Sequence, residues 1–200
     1  MNYGISVLFR AIPLAMALFC FGYGAFISAY GDDSNRLVAG PVVFSLGMIC
    51  IALFATAATI ARQIRNVYTD RERKRWPKLV LLMGTVSLLW GLFVIFSDSS
   101  TTNGVIGYIM IGLGLVCYSI SSKVILLAKI WGREFALANR IPLIPVLTAL
   151  ACLFLASFVF ELGTTHDDYF IPARVLAGLG AICFTLFSIV SILESGTSSK

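Results

Sequence analysis

The sequence has little charge, a single histidine and no recognisable catalytic or nucleotide-binding motif. Charged residues make up 12% and hydrophobic residues 58% of its 200 residues, whereas about a quarter of an ordinary soluble domain is charged. One histidine cannot supply a pair of imidazole ligands, and no glycine-rich phosphate loop follows a predicted strand. The apolar residues do not alternate with polar ones as in a membrane barrel. We therefore expect no enzyme, no cofactor and no metal site.

The apolar residues instead form long continuous segments. A helix needs about 20 such residues to cross about 30 Å of hydrocarbon, and a helix satisfies its own backbone hydrogen bonds there. The segments are residues 11–30, 37–61, 79–96, 105–131, 142–160 and 170–193. The sequence therefore predicts an all-α polytopic membrane protein with six transmembrane helices, forming a single transmembrane domain over residues 1–200.

A hexapeptide recurs in every second apolar segment, as SLGMIC at 45–50, GLGLVC at 112–117 and GLGAIC at 178–183. This spacing predicts three helical hairpins of like orientation, related as parallel repeats, at about residues 4–66, 77–133 and 140–195. Small residues let membrane helices approach closely, so the motif predicts helix packing either between even-numbered helices or against the hairpin partner. The predicted packing residues are Gly47, Cys50, Gly114, Cys117, Gly180 and Cys183.

The lysines and arginines are distributed unevenly between the predicted connections. With this topology, 13 of the 15 fall on one side, and the short acidic turns fall on the other. Cations in short loops stay in the cytoplasm, which predicts cytoplasmic termini and a bacterial inner-membrane location. The isoelectric point of 9.1 therefore indicates topology and not nucleic-acid binding. The run RERKRWPK, from Arg71 to Lys78, is a candidate contact for anionic lipid.

Two groups of polar residues are candidate functional sites. The first is Ser119, Ser122 and Lys123 near the end of the fourth segment, which could line a substrate pathway or anchor the helix at the interface. The second surrounds the turn after the fifth segment, where an intramembrane charge pair and a histidine beside carboxylates are expected to respond to acid. Its members are Glu161, His166, Asp167, Asp168 and Arg174. Glu161 and Arg174 are predicted to form an ion pair that closes the third hairpin.

Several long stretches resemble the YhiM family of bacterial inner-membrane proteins. They include LANRIPLIPV, YFIPARVLAGLGAICFTLFSIVSILESG and SDSSTTNGVIGYIMIGLGLVCYSISSKV, and LVAGPVVFSLGMICIALF resembles the repeated hairpin of that family. The resemblance implies a role in survival of acid stress, without an established molecular activity or known site residues. Members of that family are longer and carry additional hairpins.

These observations leave two functions open. The protein could sense acid or interact with partners through its acidic periplasmic turns. Alternatively, it could be a small transporter or channel with a pathway near Ser119 and Lys123. The sensor needs only a packed interior, whereas the transporter needs a polar, water-accessible cavity within the membrane. The lipid bilayer is the expected partner, and a homo-oligomer or another membrane protein is left open.

Overall fold

A computed structural model describes residues 3–31, 40–64, 67–97, 100–132 and 143–198, and these residues are almost entirely helical. The helices are α1 (Tyr3–Tyr30), α2 (Gly40–Ile64), α3 (Asp70–Ser97), α4 (Thr101–Gly132), α5 (Leu143–Gly163) and α6 (Phe170–Ser198). The all-α prediction is confirmed. Five helices, α1 to α5, are long and apolar enough to cross a membrane. A sixth span stays a prediction.

Helix α3 begins earlier than the hydropathy indicated, because a capping box fixes its first turn. The Glu72 carboxylate accepts hydrogen bonds from the backbone N–H and the hydroxyl of Thr69, at 3.2 and 3.1 Å. Glu72 also forms an ion pair with Arg62 at the end of α2. A Thr-x-x-Glu box supplies partners for backbone donors that a helix start would leave unpaired. Most of the basic run is therefore helical, although it was predicted as a connection.

Each helix packs most extensively against its neighbour along the chain: α1 against α2, α3 against α4 and α5 against α6. Helix α4 lies at the centre, because it also contacts α2, α5 and α6. Its Cys117 and Val124 are fully buried in one core cluster with Val80 of α3 and Ala149 of α5. The parallel-repeat relation between the three helix pairs stays a prediction.

Large apolar side chains cover the outside of the bundle. Phe93, Phe154 and Phe96 are 64, 74 and 84% exposed, which a water-soluble protein of this size would not tolerate over so much of its surface. Such a surface suits lipid, whose tails are as apolar as these side chains. The helical bundle is thus a membrane protein in a lipid environment.

Some of the charged residues on which the predicted orientation rests lie outside the described part of the chain. Asp32, Asp33 and Asp98 of the acidic turns lie there, as do Arg133 and Arg140 of a basic connection. The cytoplasmic location of the two termini therefore stays a prediction from the charge distribution.

Candidate functional site

The turn between α5 and α6 is tightly hydrogen-bonded, and it presents its titratable side chains to the outside. The Thr164 and Thr165 hydroxyls donate to backbone carbonyls of the last turn of α5, at 2.7 and 2.8 Å. A single 3-10 turn, Asp167–Tyr169, then leads directly into α6. His166, Asp167 and Asp168 are all exposed. The turn thus holds three titratable groups in a defined backbone.

Tyr169 joins this turn to the central helix. Its hydroxyl lies against Gly104 near the start of α4, where a methyl group would find no room. Its ring packs edge-on against Tyr108, one helical turn further along α4, with ring centroids 6.3 Å apart. The His166 ring also packs edge-on against Tyr169, with ring centroids 6.3 Å apart. Tyr169 therefore connects the turn directly to α4. The sequence alone did not indicate that this tyrosine is part of the site.

The expected ion pair between Glu161 and Arg174 is not formed. Among the described residues the ion pairs are those of Arg62 with Glu72 and of Arg73 with Asp70. Glu161 and Arg174 instead line the same cavity of about 460 Å³ between α5 and α6. Both residues are exposed at the cavity.

The serines of the other candidate site are enclosed by packing. Ser119 and Ser122 are fully buried, and the Ser122 hydroxyl donates to the Ser119 carbonyl at 2.6 Å. The Ser119 hydroxyl makes no regular hydrogen bond and lies beside the Cys183 thiol of α6. Lys123 is only partly buried. None of these three residues lines the cavities between α5 and α6 or between α3 and α4.

The central glycine of each recurring hexapeptide faces the helix that precedes its own helix, whereas Gly112 packs against Leu176 and Leu179 of α6. The sequence left open whether these glycines pack between even-numbered helices or against the hairpin partner, and the structure has the three central glycines against the hairpin partner and Gly112 between α4 and α6. The contacts are Gly47 with Phe21, Gly114 with Gly84 and Leu88, and Gly180 with Leu153 and Cys152. At Gly114 the close atoms belong to backbone, whereas at Gly47 and Gly180 they belong to side chains. Of the three central hexapeptide glycines, Gly114 therefore lies closest to the backbone of its neighbouring helix.

The cysteines of the hexapeptide also have partners in the preceding helix. The thiols of Cys152 and Cys183 lie beside each other, as do those of Cys20 and Cys50. In the middle pair, Cys117 faces a glycine, Gly84. In each odd-numbered helix, the residue that faces the hexapeptide cysteine stands seven residues after a proline: Cys20 after Pro13, Gly84 after Pro77 and Cys152 after Pro145. Because Gly84 takes the place of a cysteine in α3, matching cysteines alone did not reveal this pattern in the sequence.

A cationic cavity lies at the opposite end of the bundle from the α5–α6 turn. It has a volume of about 380 Å³ between the start of α3 and the end of α4. Its charged lining residues are Arg73, Lys74, Lys78 and Lys129. The predicted lipid-contact run thus shares its cavity with a cation from another helix. Within the described chain, no three His, Cys, Asp or Glu side chains converge as metal ligands.

Comparison with known proteins places these features in a family. The model of a family described as "Protein of unknown function (DUF2776)" matches residues 1–64 and 58–198. The inner membrane protein YhiM of Escherichia coli (strain K12) is 47% identical over 190 residues, which are 95% of this chain and 54% of that relative. The chain therefore spans about half the length of the relative. No solved structure matches it significantly.

Proposed function

The chain belongs to the DUF2776 family, and from that premise we propose that it is an inner-membrane protein that responds to acidification through the α5–α6 turn. The match to YhiM confirms the resemblance found in the sequence, and that resemblance implies a role in acid survival. The observation that carries the proposal is the contact of Tyr169 with Gly104 and Tyr108. This contact links an exposed titratable turn to the helix at the centre of the bundle.

Acidification reverses the charge of the turn. Imidazole gains a proton between about pH 8 and 5, and carboxylates gain theirs at lower pH. Arg174 on α6 and Glu161 on α5 are the nearby charged groups on the packed helices, and Tyr108 is the titratable group on α4.

This charge change acts on the start of α6. Negative charge near a helix N-terminus contributes about 0.3–1 kcal/mol, and positive charge there is unfavourable. Asp167 and Asp168 directly precede α6, so their protonation removes a stabilising interaction, and a charged His166 adds a repulsive one. The first turn of α6 then loosens, and Tyr169 transmits the change to α4.

The proposal is tested with a turn that cannot titrate. A variant carrying His166→Gln, Asp167→Asn and Asp168→Asn should lose acid survival when it replaces the natural chain in cells. The purified variant should also lose the change in hydrogen exchange at the start of α6 between about pH 7 and about pH 3.5, a range that includes the protonation of carboxylates. Tyr169→Leu should keep the exchange change in the turn and abolish its transmission to α4.

The control is Asp70→Asn at the other end of the bundle, where the carboxylate is exposed and its contact with Arg73 is long, at 3.8 Å. This variant should keep the normal acid response. If the triple variant survives acid as well as the natural protein, the proposal is wrong. The same conclusion follows if Asp70→Asn impairs survival equally.

A small transporter or channel is the second candidate. The buried Ser119 hydroxyl without a regular hydrogen bond, close to Lys123, favours it, because unsatisfied polar groups in a membrane often mark a pathway. The hydrogen bond of Ser122 to its own helix favours the sensor instead. Purified protein in liposomes should move an ion or small solute under a pH gradient if it transports, and Ser119→Ala should change the rate. Liposomes that stay impermeable argue for the sensor.

The cationic cavity supports a further part of this proposal, which is contact with anionic lipid. Its four cations share one cavity next to Pro77, and each basic residue near an anionic membrane surface contributes about 1 kcal/mol. Replacing Lys74 and Lys78 with glutamine should halve or further reduce the retention of phosphatidylglycerol by the purified protein. Retention equal to that of the unaltered chain would exclude this contact.

A further inference from the structure

The cavity between α5 and α6 has an apolar body and a charged rim. Small side chains on both helices, Ala156, Ser157 and Ala177, leave the space, and Leu153 lines its inner part. Its volume of about 460 Å³ is open towards the outside of the bundle. Lipid-facing grooves of this kind accept acyl chains, because hydrocarbon fills them without leaving polar groups unpaired.

The rim carries one negative and one positive charge that do not neutralise each other. Glu161 lies in the last turns of α5 and Arg174 near the start of α6, and both line the cavity without forming an ion pair. A charge at the edge of the hydrocarbon is costly unless a partner compensates it. The rim therefore suits a ligand that brings one anion and one cation next to each other, attached to an apolar body.

We propose that this groove binds one phospholipid with a zwitterionic headgroup that contains a primary ammonium. The phosphate pairs with the Arg174 guanidinium, whose planar donors match phosphate oxygens. The ammonium donates hydrogen bonds to the Glu161 carboxylate, and an acyl chain occupies the space beside Ala177. This inference goes beyond the acid response proposed above and does not depend on it.

Charge complementarity selects this occupant over other lipids. An anionic headgroup would satisfy Arg174 but would place its net negative charge beside Glu161. A quaternary ammonium would satisfy the charge of Glu161 without an N–H donor, so it forms no charge-assisted hydrogen bond. A primary ammonium supplies both the charge and three donors. Phosphatidylethanolamine is the probe that combines these features.

The test measures lipid retained by the purified full chain. Protein in mixed micelles with equal phosphatidylethanolamine, phosphatidylcholine and phosphatidylglycerol is analysed by native mass spectrometry. The unaltered chain should retain phosphatidylethanolamine at least about threefold more than phosphatidylcholine, since a charge-assisted hydrogen bond at an exposed site has an effect of about this size. Glu161→Gln should remove this preference, and Arg174→Gln should lower retention of both lipids about threefold to tenfold.

Ala177→Leu fills the groove without changing a charge and should also reduce phosphatidylethanolamine retention. This variant keeps the proposal testable if a charge variant fails to fold. Asp70→Asn, whose carboxylate is exposed and lines neither cavity, is the control and should leave phosphatidylethanolamine retention unchanged. Equal retention of the two zwitterionic lipids by the unaltered chain overturns the proposal. So does retention that stays the same in Glu161→Gln and Ala177→Leu, or a lipid-free dimer that covers the groove.

Discussion

The substitution Gly114→Ala probes a close backbone contact between α3 and α4. A methyl group at this position would lie 2.9 Å from the Gly84 carbonyl oxygen and 3.0 Å from the Leu88 backbone nitrogen. Ordinary van der Waals contacts of such a carbon begin at 3.4 Å. Both close atoms are backbone, so no side chain can rotate away. Helix α3 has to retreat by about half an ångström along this contact.

The size of the effect follows from two opposing terms. Forcing an extra methyl group into a packed core costs about 1–3 kcal/mol. Alanine has a higher intrinsic helix propensity than glycine, which returns up to about 1 kcal/mol. The expected net destabilisation is therefore about 0–2 kcal/mol relative to the unaltered chain, and about 1–3 kcal/mol relative to a glycine-to-alanine change that meets no neighbour. Gly47→Ala should cost less, because its close neighbour is the Phe21 ring, a side chain that can turn.

The assay is reversible unfolding of the purified chain by SDS in mixed micelles, followed by circular dichroism. The matched control is Gly178→Ala, because Gly178 is exposed and no atom lies within 4 Å of a methyl group there. This control should be as stable as the unaltered chain or slightly more stable. Should Gly114→Ala unfold at the same SDS fraction as the control, the backbone contact between α3 and α4 would not hold the pair together as described.

Three further predictions concern the ends and the interior of the bundle. Burial raises the pKa of the Tyr68 phenol, so this phenol ionises first in the unfolded chain, above about pH 10, and the stability of the fold falls as the pH rises further. Tyr68→Phe should reduce this loss of stability, measured by thermal unfolding at alkaline pH. An identical loss in the variant would contradict the burial of Tyr68. Arg62→Ala should destabilise by about 0.2–1 kcal/mol, and Glu72→Ala by about 1 kcal/mol more because it also removes the capping bonds; equal unfolding temperatures would contradict that ranking. Iodine should cross-link Cys152 and Cys183, whose thiols lie beside each other, in a chain that lacks the other cysteines. Mass spectrometry that finds only free thiols would contradict this proximity.

Hydropathy was sufficient to predict the helical class and the position of five membrane-capable helices, because lipid imposes a length and a composition on any span. It misplaced the start of α3, since charged residues in the first turns of a helix resemble a connecting loop. The signal that corrects this was local: Thr69 and Glu72 stand three residues apart immediately around the helix start, and this spacing is typical of a capping box.

The side-chain partners were harder to predict, because sequence spacing gives the depth of a residue in the membrane but not the rotation of its helix. Glu161 and Arg174 were expected to pair on grounds of depth, yet they line a shared cavity without an ion pair. For the same reason the hexapeptide glycines predicted close packing without deciding the partner helix. The role of Tyr169 was not predicted, because its contact with Gly104 joins residues that are far apart in the sequence.

The hydroxyl groups of α4 bear on how the chain enters the bilayer during synthesis. Ser121 and Ser122 donate at 2.6 Å to carbonyl oxygens of Tyr118 and Ser119, one turn back in the same helix. These donors need nothing from α5 or α6, which the ribosome delivers later. Helix α4 can therefore leave the translocon and enter the hydrocarbon without exposing these two hydroxyl groups as unsatisfied donors. The last hairpin can then assemble onto a segment that is already stable in the bilayer.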